Sequence, residues 1–181
     1  MTDTVRTTEP AVGEPTTYRL MTRAFTALRI FTGLVWFTNA IAKIIEVGNY
    51  DFGFISFNLV TKGVAKAIAT DASSKTYIAP LGWAYQNVVL PNWGFFSIFL
   101  TLAELAIGLG LIFGVATRLA AVGGLLLLAP IWLMLLHTGG YLWEYPAEDL
   151  FPLLLLAIVP AGRHRGFDAT LAPRFGHRWP F

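Results

Sequence analysis

Two charged residues stand inside long apolar stretches, and their chemistry depends on what faces them. Glu104 is the only charge in the run 93–116, and Arg29 is the only charge in the run 24–42. A carboxylate in the middle of a membrane-spanning helix is costly unless it is paired, hydrated or protonated. We therefore predict that Arg29 is the partner of Glu104. Two interpretations stay open: a structural ion pair that fixes helix register, and a proton-relay carboxylate tuned by a nearby cation.

The first apolar run has a polar face. Arg29, Gly33, Trp36 and Lys43 recur at helical spacing, so this face should point into a helical bundle. Asn39 and Lys43 stand near its outer end, where Lys43 either snorkels to the membrane interface or forms a cation at the mouth of a cavity. Together with Glu104 and Arg29, Lys43 completes the candidate catalytic set.

Histidines and aromatics extend the candidate set. His137 ends the third apolar run and is either an interfacial residue or a group that titrates near physiological pH. The other two histidines, His164 and His177, stand in the C-terminal tail, so neither a haem held by two buried histidines nor a His-rich metal site is expected. The chain has no cysteine, which excludes disulfides and thiol chemistry within it. We predict no metal site and no covalently bound cofactor.

Composition indicates a membrane protein. Hydrophobic residues make up 55% of the chain and charged residues 13%, whereas soluble domains carry about 25% charged residues. The mean hydropathy is +0.59. A net charge of +2 gives no support for nucleic acid binding. The partner expected from composition is therefore membrane lipid.

The apolar runs predict an all-α integral membrane four-helix bundle. The run 93–136, as one helix, would be roughly 66 Å long, about twice the hydrocarbon thickness. It must therefore turn back, and Thr117-Arg118 is the predicted hairpin. The predicted domain spans residues 24–168, between a disordered tail 1–23 and a basic tail 169–181. Its helices are predicted at about 24–43, 93–116, 119–137 and 148–162.

A long extracytoplasmic loop is predicted between the first two helices. Phe54, Phe57, Val60 and Val64 keep helical spacing, which predicts an amphipathic helix in the membrane interface. The segment 71–75 is predicted to be a turn. A loop of this length with its own apolar pattern is often a lid.

Basic residues predict the topology. Arg118 in the hairpin and Arg163 after the last span belong to an arginine-rich side, whereas the long loop carries lysines and acids. The positive-inside rule then predicts a multi-pass plasma membrane protein with both termini cytoplasmic. Small residues predict close helix packing, within the bundle or between protomers. These packing residues are Gly33, Gly108, Gly110 and Gly114.

Three series of residues, taken in order, resemble the DoxX/DoxD family of small four-helix membrane proteins. They are Arg29…Gly33…Phe37…Lys43, then Glu104…Gly108…Leu111…Gly114-Val115-Ala116-Thr117-Arg118, and finally Ala161-Gly162-Arg163…Gly166-Phe167-Asp168. The chain departs from the family at Asn39-Ala40, where relatives often carry glycine before the lysine. DoxD proteins are known as the small subunit of thiosulfate:quinone oxidoreductase, and DoxX relatives are associated with redox and oxidative-stress complexes.

The resemblance implies a subunit of a quinone-linked redox complex, with a partner subunit or a homo-oligomer. Quinone is then a substrate held in a cavity that opens outward, and Glu104 supplies or takes up protons. The residues expected to bind it are Lys43, Asn39 and His137, through a carbonyl, and Trp36, Trp83 and Trp143, against the ring. Two alternatives stay open: a non-catalytic anchor that recruits a redox enzyme through the basic tail, and a small-molecule carrier.

Overall fold

The computed structural model describes residues 16–137 and 146–181, and most of them are helical. Two short strands, β1 (Asn49–Asp51) and β2 (Ser56–Asn58), pair antiparallel after the first helix. Single turns of 3-10 or π-helix cover Tyr85–Val89, Leu135–His137, Pro146–Leu150 and Ala161–Arg163. The α-helices are α1 (Thr16–Ile45), α2 (Lys62–Lys75), α3 (Ala79–Ala84), α4 (Trp93–Phe113), α5 (Thr117–Met134), α6 (Phe151–Ile158) and α7 (Asp168–Arg174).

Among the described residues, three helical segments are long and apolar enough to cross a membrane: Thr16–Ile45, Trp93–Phe113 and Thr117–His137. They confirm the prediction of long apolar helices in these parts of the chain. The predicted fourth span is shorter than expected, since α6 has 8 residues, about 12 Å of helix. It ends at Ile158 because Val159 is extended, as steric clash requires of a residue that precedes proline.

The N-terminal boundary of α1 differs from the prediction. Residues 16–23, which composition predicts to be disordered, form the first turns of α1. The hydroxyl groups of Thr22 and Thr26 donate to carbonyls four residues earlier, and the Tyr18 hydroxyl lies 3.2 Å from His164 Nε2. This contact with the end of the chain is invisible in the sequence. Residues 1–15 lie outside the described part.

The closest helix pair, α1 and α4, crosses at two of the predicted packing glycines. A Cβ on Gly33 would lie 2.8 Å from the backbone nitrogen of Ile112, and one on Gly108 would lie 2.7 Å from that of Phe37. Since the facing residue number falls along α4 as it rises along α1, the pair is antiparallel. Gly110 instead faces Ala120 of α5.

A tight turn joins α4 to α5. Gly114 ends α4 in the left-handed region, with a φ of 68°, which glycine adopts without strain. The chain then re-enters a helix at Thr117. The reversal therefore lies at residues 114–116, slightly before the predicted Thr117-Arg118 hairpin. Behind it, side chains from α1, α4, α5 and α6 form the main core: Trp36, Ile107, Leu111, Ala121, Leu153 and Leu156.

The long connection between α1 and α4 packs against the helices, and we call it the cap. The helix that is predicted there begins at the wrong residue. Phe54 is 92% exposed between the two strands, and α2 begins only at Lys62, where the Thr61 side chain accepts from the backbone N–H of Val64. Helix α2 then continues to Lys75, through the predicted turn at 71–75. Ala72 packs against Met134 and Leu135, where α5 ends. A local pattern does not report this distant support.

Candidate functional site

The partner of Glu104 is Lys43. The Lys43 Nζ atom lies 2.9 Å from Glu104 Oε2, and the two side chains are 1% and 12% exposed. Lys43 belongs to the last turn of α1, and Glu104 lies in the middle of α4. The predicted Arg29–Glu104 pair is therefore wrong.

Helix register explains why Glu104 meets Lys43 rather than Arg29. Gly108 lies against Phe37, so four residues back along α4, Glu104 is level with about residue 41 of the antiparallel α1. Arg29 lies 41 − 29 = 12 residues from that level, about 18 Å along the axis at 1.5 Å per residue. An arginine side chain cannot span that distance, whereas Lys43 stands within one turn of it.

Two side chains one turn apart on α1 hold a single residue of the cap. The ammonium group of Lys43 donates to the carbonyl oxygen of Val60 at 2.7 Å, and the backbone N–H of Val60 donates to Asn39 Oδ1 at 2.9 Å. The amide nitrogen of Asn39 donates back to the Val35 carbonyl. We call this arrangement the Val60 clamp. It ties the segment between β2 and α2 to the C-terminal end of α1.

A cavity of about 360 Å³ lies beside the ion pair. Four of the predicted site residues line it together: Trp36, Asn39, Lys43 and Glu104. Most of the remaining wall is apolar, contributed by α2, α4 and α5. It includes Ile68, Ala69, Phe96, Phe99, Leu100, Leu127 and Ile131.

Three further residues line this cavity and were not predicted to bind a ligand: Tyr85, Trp93 and Asp149. Tyr85 and Trp93 flank the entry to α4, where aromatic residues resemble interfacial anchors. Burial raises the pKa of the Tyr85 phenol, so it stays protonated and able to donate a hydrogen bond at neutral pH. These three residues come from separate parts of the chain, so only the tertiary structure shows that they line one cavity.

Other predicted binding residues lie elsewhere. Trp83 is 63% exposed and does not line the cavity. His137 Nδ1 lies 2.9 Å from the carbonyl oxygen of Met134, and its ring meets the edge of Tyr77. Neither Trp83 nor His137 lines the cavity beside the Lys43–Glu104 pair. Trp143 lies outside the described residues.

Arg29 lies near the middle of α1, 43 − 29 = 14 residues before Lys43, and is fully buried. Its Nη1 atom donates to the carbonyl oxygens of Leu111 and Ile112, at 2.9 and 3.3 Å, and its Nη2 atom donates to that of Arg165 at 3.2 Å. The first two carbonyls belong to the last turn of α4, where a cation is favourably placed against the helix dipole. Its placement indicates a helix-capping role, apart from the predicted catalytic set.

Asp168 caps the neighbouring helix from the other direction. Its Oδ1 and Oδ2 atoms accept from the backbone N–H groups of Ala116 and Thr117, at 2.7 and 2.9 Å. A carboxylate at a helix N-terminus is stabilising, because the N–H groups there lack partners within the helix. We call this region the base cluster; it comprises Arg29, Gly114, Thr117, Gly162 and Asp168.

Glycine is required at two positions of the base cluster. A Cβ on Gly162 would collide with the Asp168 carboxylate and the Thr117 hydroxyl, and one on Gly114 would collide with the guanidinium of Arg29. These contacts leave no room for a ligand. Parts of the three residue series on which the resemblance depends therefore meet in a closed, structural cluster.

The two arginines predicted to mark topology also make hydrogen bonds. Arg118 Nε donates to the carbonyl oxygen of Ala157, near the end of α6, at 2.9 Å. Arg163 Nη2 donates to the carbonyl oxygens of His177 and Phe181. Within residues 16–137 and 146–181, no group of three or more His, Asp or Glu residues is placed to hold a metal ion.

Comparisons with known proteins leave the site to be judged on its own geometry. No model of a known protein family matches the chain, and neither a curated protein nor a solved structure does. The candidate site is therefore the cavity that holds the buried Lys43–Glu104 pair.

Proposed function

We propose that the protein is an integral membrane subunit that binds a quinone and takes part in its reduction, as the resemblance to the DoxX/DoxD family implies. In this proposal α1, α4 and α5 cross the membrane, α6 completes a four-helix bundle, and the cap over α1 lies outside. Both termini are then cytoplasmic. The support is the excess of arginine at the base-cluster end, by the positive-inside rule: Arg19, Arg23, Arg118, Arg163, Arg165, Arg174 and Arg178.

The observation that carries the proposal is the buried Lys43–Glu104 pair beside a cavity. Ionisable residues within membrane segments are rare and mark functional sites more often than not. A volume of about 360 Å³ falls within the range of small-molecule sites, which are mostly apolar with a few convergent polar groups. Trp36, Tyr85 and Trp93 supply aromatic surface for a flat ring.

Lys43 is suited to bind a quinone carbonyl oxygen. An ammonium group has three N–H donors, and the contacts of Lys43 among the described residues are to the Val60 carbonyl and to Glu104. The third N–H is then available to a ligand oxygen. The positive charge of Lys43 favours the negative charge that develops on that oxygen as electrons arrive.

Glu104 is suited to handle protons. Reduction of a quinone to a quinol consumes two electrons and two protons, one proton for each carbonyl oxygen. Glu104 shares the cavity with Lys43, so it is within reach of the ligand oxygen that Lys43 binds. The electrons come from a reductant such as thiosulfate, or from a partner subunit.

The test is quinone reduction by the purified membrane complex, with thiosulfate as donor and a short-chain quinone as acceptor. We expect Glu104→Gln to lower turnover by a factor on the order of 10² or more, because general acid–base catalysis contributes that much. Lys43→Met should weaken quinone binding, which is measured as quenching of tryptophan fluorescence. The matched control is Glu46→Gln, which removes an exposed carboxylate just after α1, near Lys43 in sequence.

Two results would contradict the proposal. One is turnover of Glu104→Gln equal to that of Glu46→Gln in folded protein. The other is quinone quenching that does not saturate, or that Lys43→Met leaves unchanged. Either result would favour the non-catalytic anchor.

A further inference from the structure

The C-terminal segment, residues 163–181, folds against the ends of two membrane-type helices. The backbone N–H of Phe167 donates to the carbonyl oxygen of Phe113 at 3.1 Å, and that of Asp168 donates to Gly114 at 2.8 Å. Phe113 and Gly114 are the end of α4, and α5 begins three residues later. If α4 and α5 cross a bilayer, this segment lies at the level of its surface.

Large apolar side chains of this segment are exposed. Phe167, Phe175 and Trp179 are 58%, 55% and 54% exposed, respectively. Such residues are unusual on the water-facing surface of a protein but typical of the membrane interface, where one side of an aromatic ring meets acyl chains.

The same surface is basic. Arg165, Arg174 and Arg178 are exposed, and the one acid of residues 163–181, Asp168, is buried in the base cluster. Exposed Arg19 and Arg23 of α1 stand near it, because the Tyr18 hydroxyl contacts His164. Neither the described turns of α1 up to Arg29 nor the turn 113–118 contributes an acid.

We propose that this aromatic and basic surface binds anionic lipid headgroups and inserts its aromatic rings at the membrane surface. The arginines lie where headgroup phosphates lie, and the rings lie where acyl chains begin. Each basic residue near an anionic membrane strengthens binding roughly 5-fold. This inference depends on membrane insertion of α4 and α5 and is independent of the redox role of Glu104. The competing occupant is a protein partner recruited by the same arginines.

The chain offers a clean reporter, since it has no cysteine. An Ala169→Cys variant places one thiol on an exposed position of α7, for labelling with an environment-sensitive fluorophore. The labelled protein in detergent is titrated with short-chain phosphatidylglycerol and, separately, with short-chain phosphatidylcholine. We expect a blue shift that saturates at lower concentration with phosphatidylglycerol, a preference that weakens as salt is added.

Two matched triple variants assign the effect. Arg165→Gln/Arg174→Gln/Arg178→Gln should lower affinity for phosphatidylglycerol on the order of 100-fold and leave affinity for phosphatidylcholine unchanged. Lys62→Gln/Lys66→Gln/Lys75→Gln removes the same charge from the cap and should change neither. The Arg165 carbonyl that Arg29 uses is backbone, so the first variant keeps the base cluster intact.

A second variant separates insertion from attraction. Phe175→Ser/Trp179→Ser keeps every arginine and should abolish the blue shift while retaining phosphatidylglycerol selectivity in a lipid pull-down. Equal affinity for both lipids in the parent protein would overturn the proposal. So would an unchanged lipid preference in the arginine variant accompanied by loss of a co-purifying protein, which would assign the surface to a protein partner.

Discussion

Helix α1 buries two cations, Arg29 near its middle and Lys43 in its last turn, and their surroundings differ. Arg29 is 0% exposed and Lys43 is 1% exposed. In the base cluster, the Arg29 guanidinium donates to three backbone carbonyls and is enclosed by glycines that leave no space. At the C-terminal end of α1, Lys43 pairs with Glu104 and borders a cavity of about 360 Å³.

The contrast between Arg29 and Lys43 shows that a buried charge does not by itself identify a functional site. The planar guanidinium has five donors in a fixed geometry, which suits rigid carbonyls at a helix end. The ammonium of Lys43 has three donors on a flexible stem, which suits an exchangeable partner. The cavity, rather than the charge, distinguishes the second case. Substitutions should therefore affect stability at the base cluster and binding at the cavity beside Lys43.

The largest stability effect should come from Asp168→Ala. It removes the acceptor of two backbone N–H groups and the carboxylate that interacts electrostatically with Arg29. Breaking buried charged interactions costs about 3–5 kcal/mol, which thermal unfolding in detergent would detect. Asp71→Ala, at an exposed ion pair, should cost about 1 kcal/mol or less. Equal unfolding temperatures for the two variants would contradict a structural role for the base cluster.

A smaller effect is expected from Gly162→Ala. The added Cβ collides with the Asp168 carboxylate and the Thr117 hydroxyl, and such overpacking costs about 1–3 kcal/mol. Gly94→Ala is the matched control, because a Cβ there meets nothing within 4 Å. That control should be neutral or stabilise α4 by up to about 1 kcal/mol, since alanine is the better helix former. The same unfolding measurement decides, and a neutral Gly162→Ala would show that the cluster can expand.

The smallest effect is expected from Asn39→Ala at the Val60 clamp. It leaves the Val60 N–H without its acceptor, at a cost of about 1–2 kcal/mol that is confined to the cap. Hydrogen exchange of the Val60 amide should accelerate, while residues 111–118 keep their protection. Asn87→Ala, whose amide bonds the Trp83 carbonyl, is the control. Unchanged exchange at Val60 would mean that the clamp does not hold the cap.

Some of this architecture could be predicted because it depends on local composition. A bilayer requires a continuous apolar stretch of about 20 residues, so α4 and α5 were visible as runs, and their reversal was predicted at Thr117-Arg118, slightly after its actual place. The start of α2 was not visible. Helical spacing from Phe54 onward suggested a longer helix, but the Thr61 cap and the packing of Ala72 on Met134 determine where α2 forms.

From the sequence alone it follows that one carboxylate, Glu104, and one cation, Arg29, stand inside long apolar runs. The pairing of Glu104 with Lys43, and the place of Arg29 in the base cluster, depend on the tertiary structure. The cause is the register of α1 against α4. Gly33 and Gly108 let α1 and α4 approach at one crossing point, and that contact between distant residues sets which side chains are level.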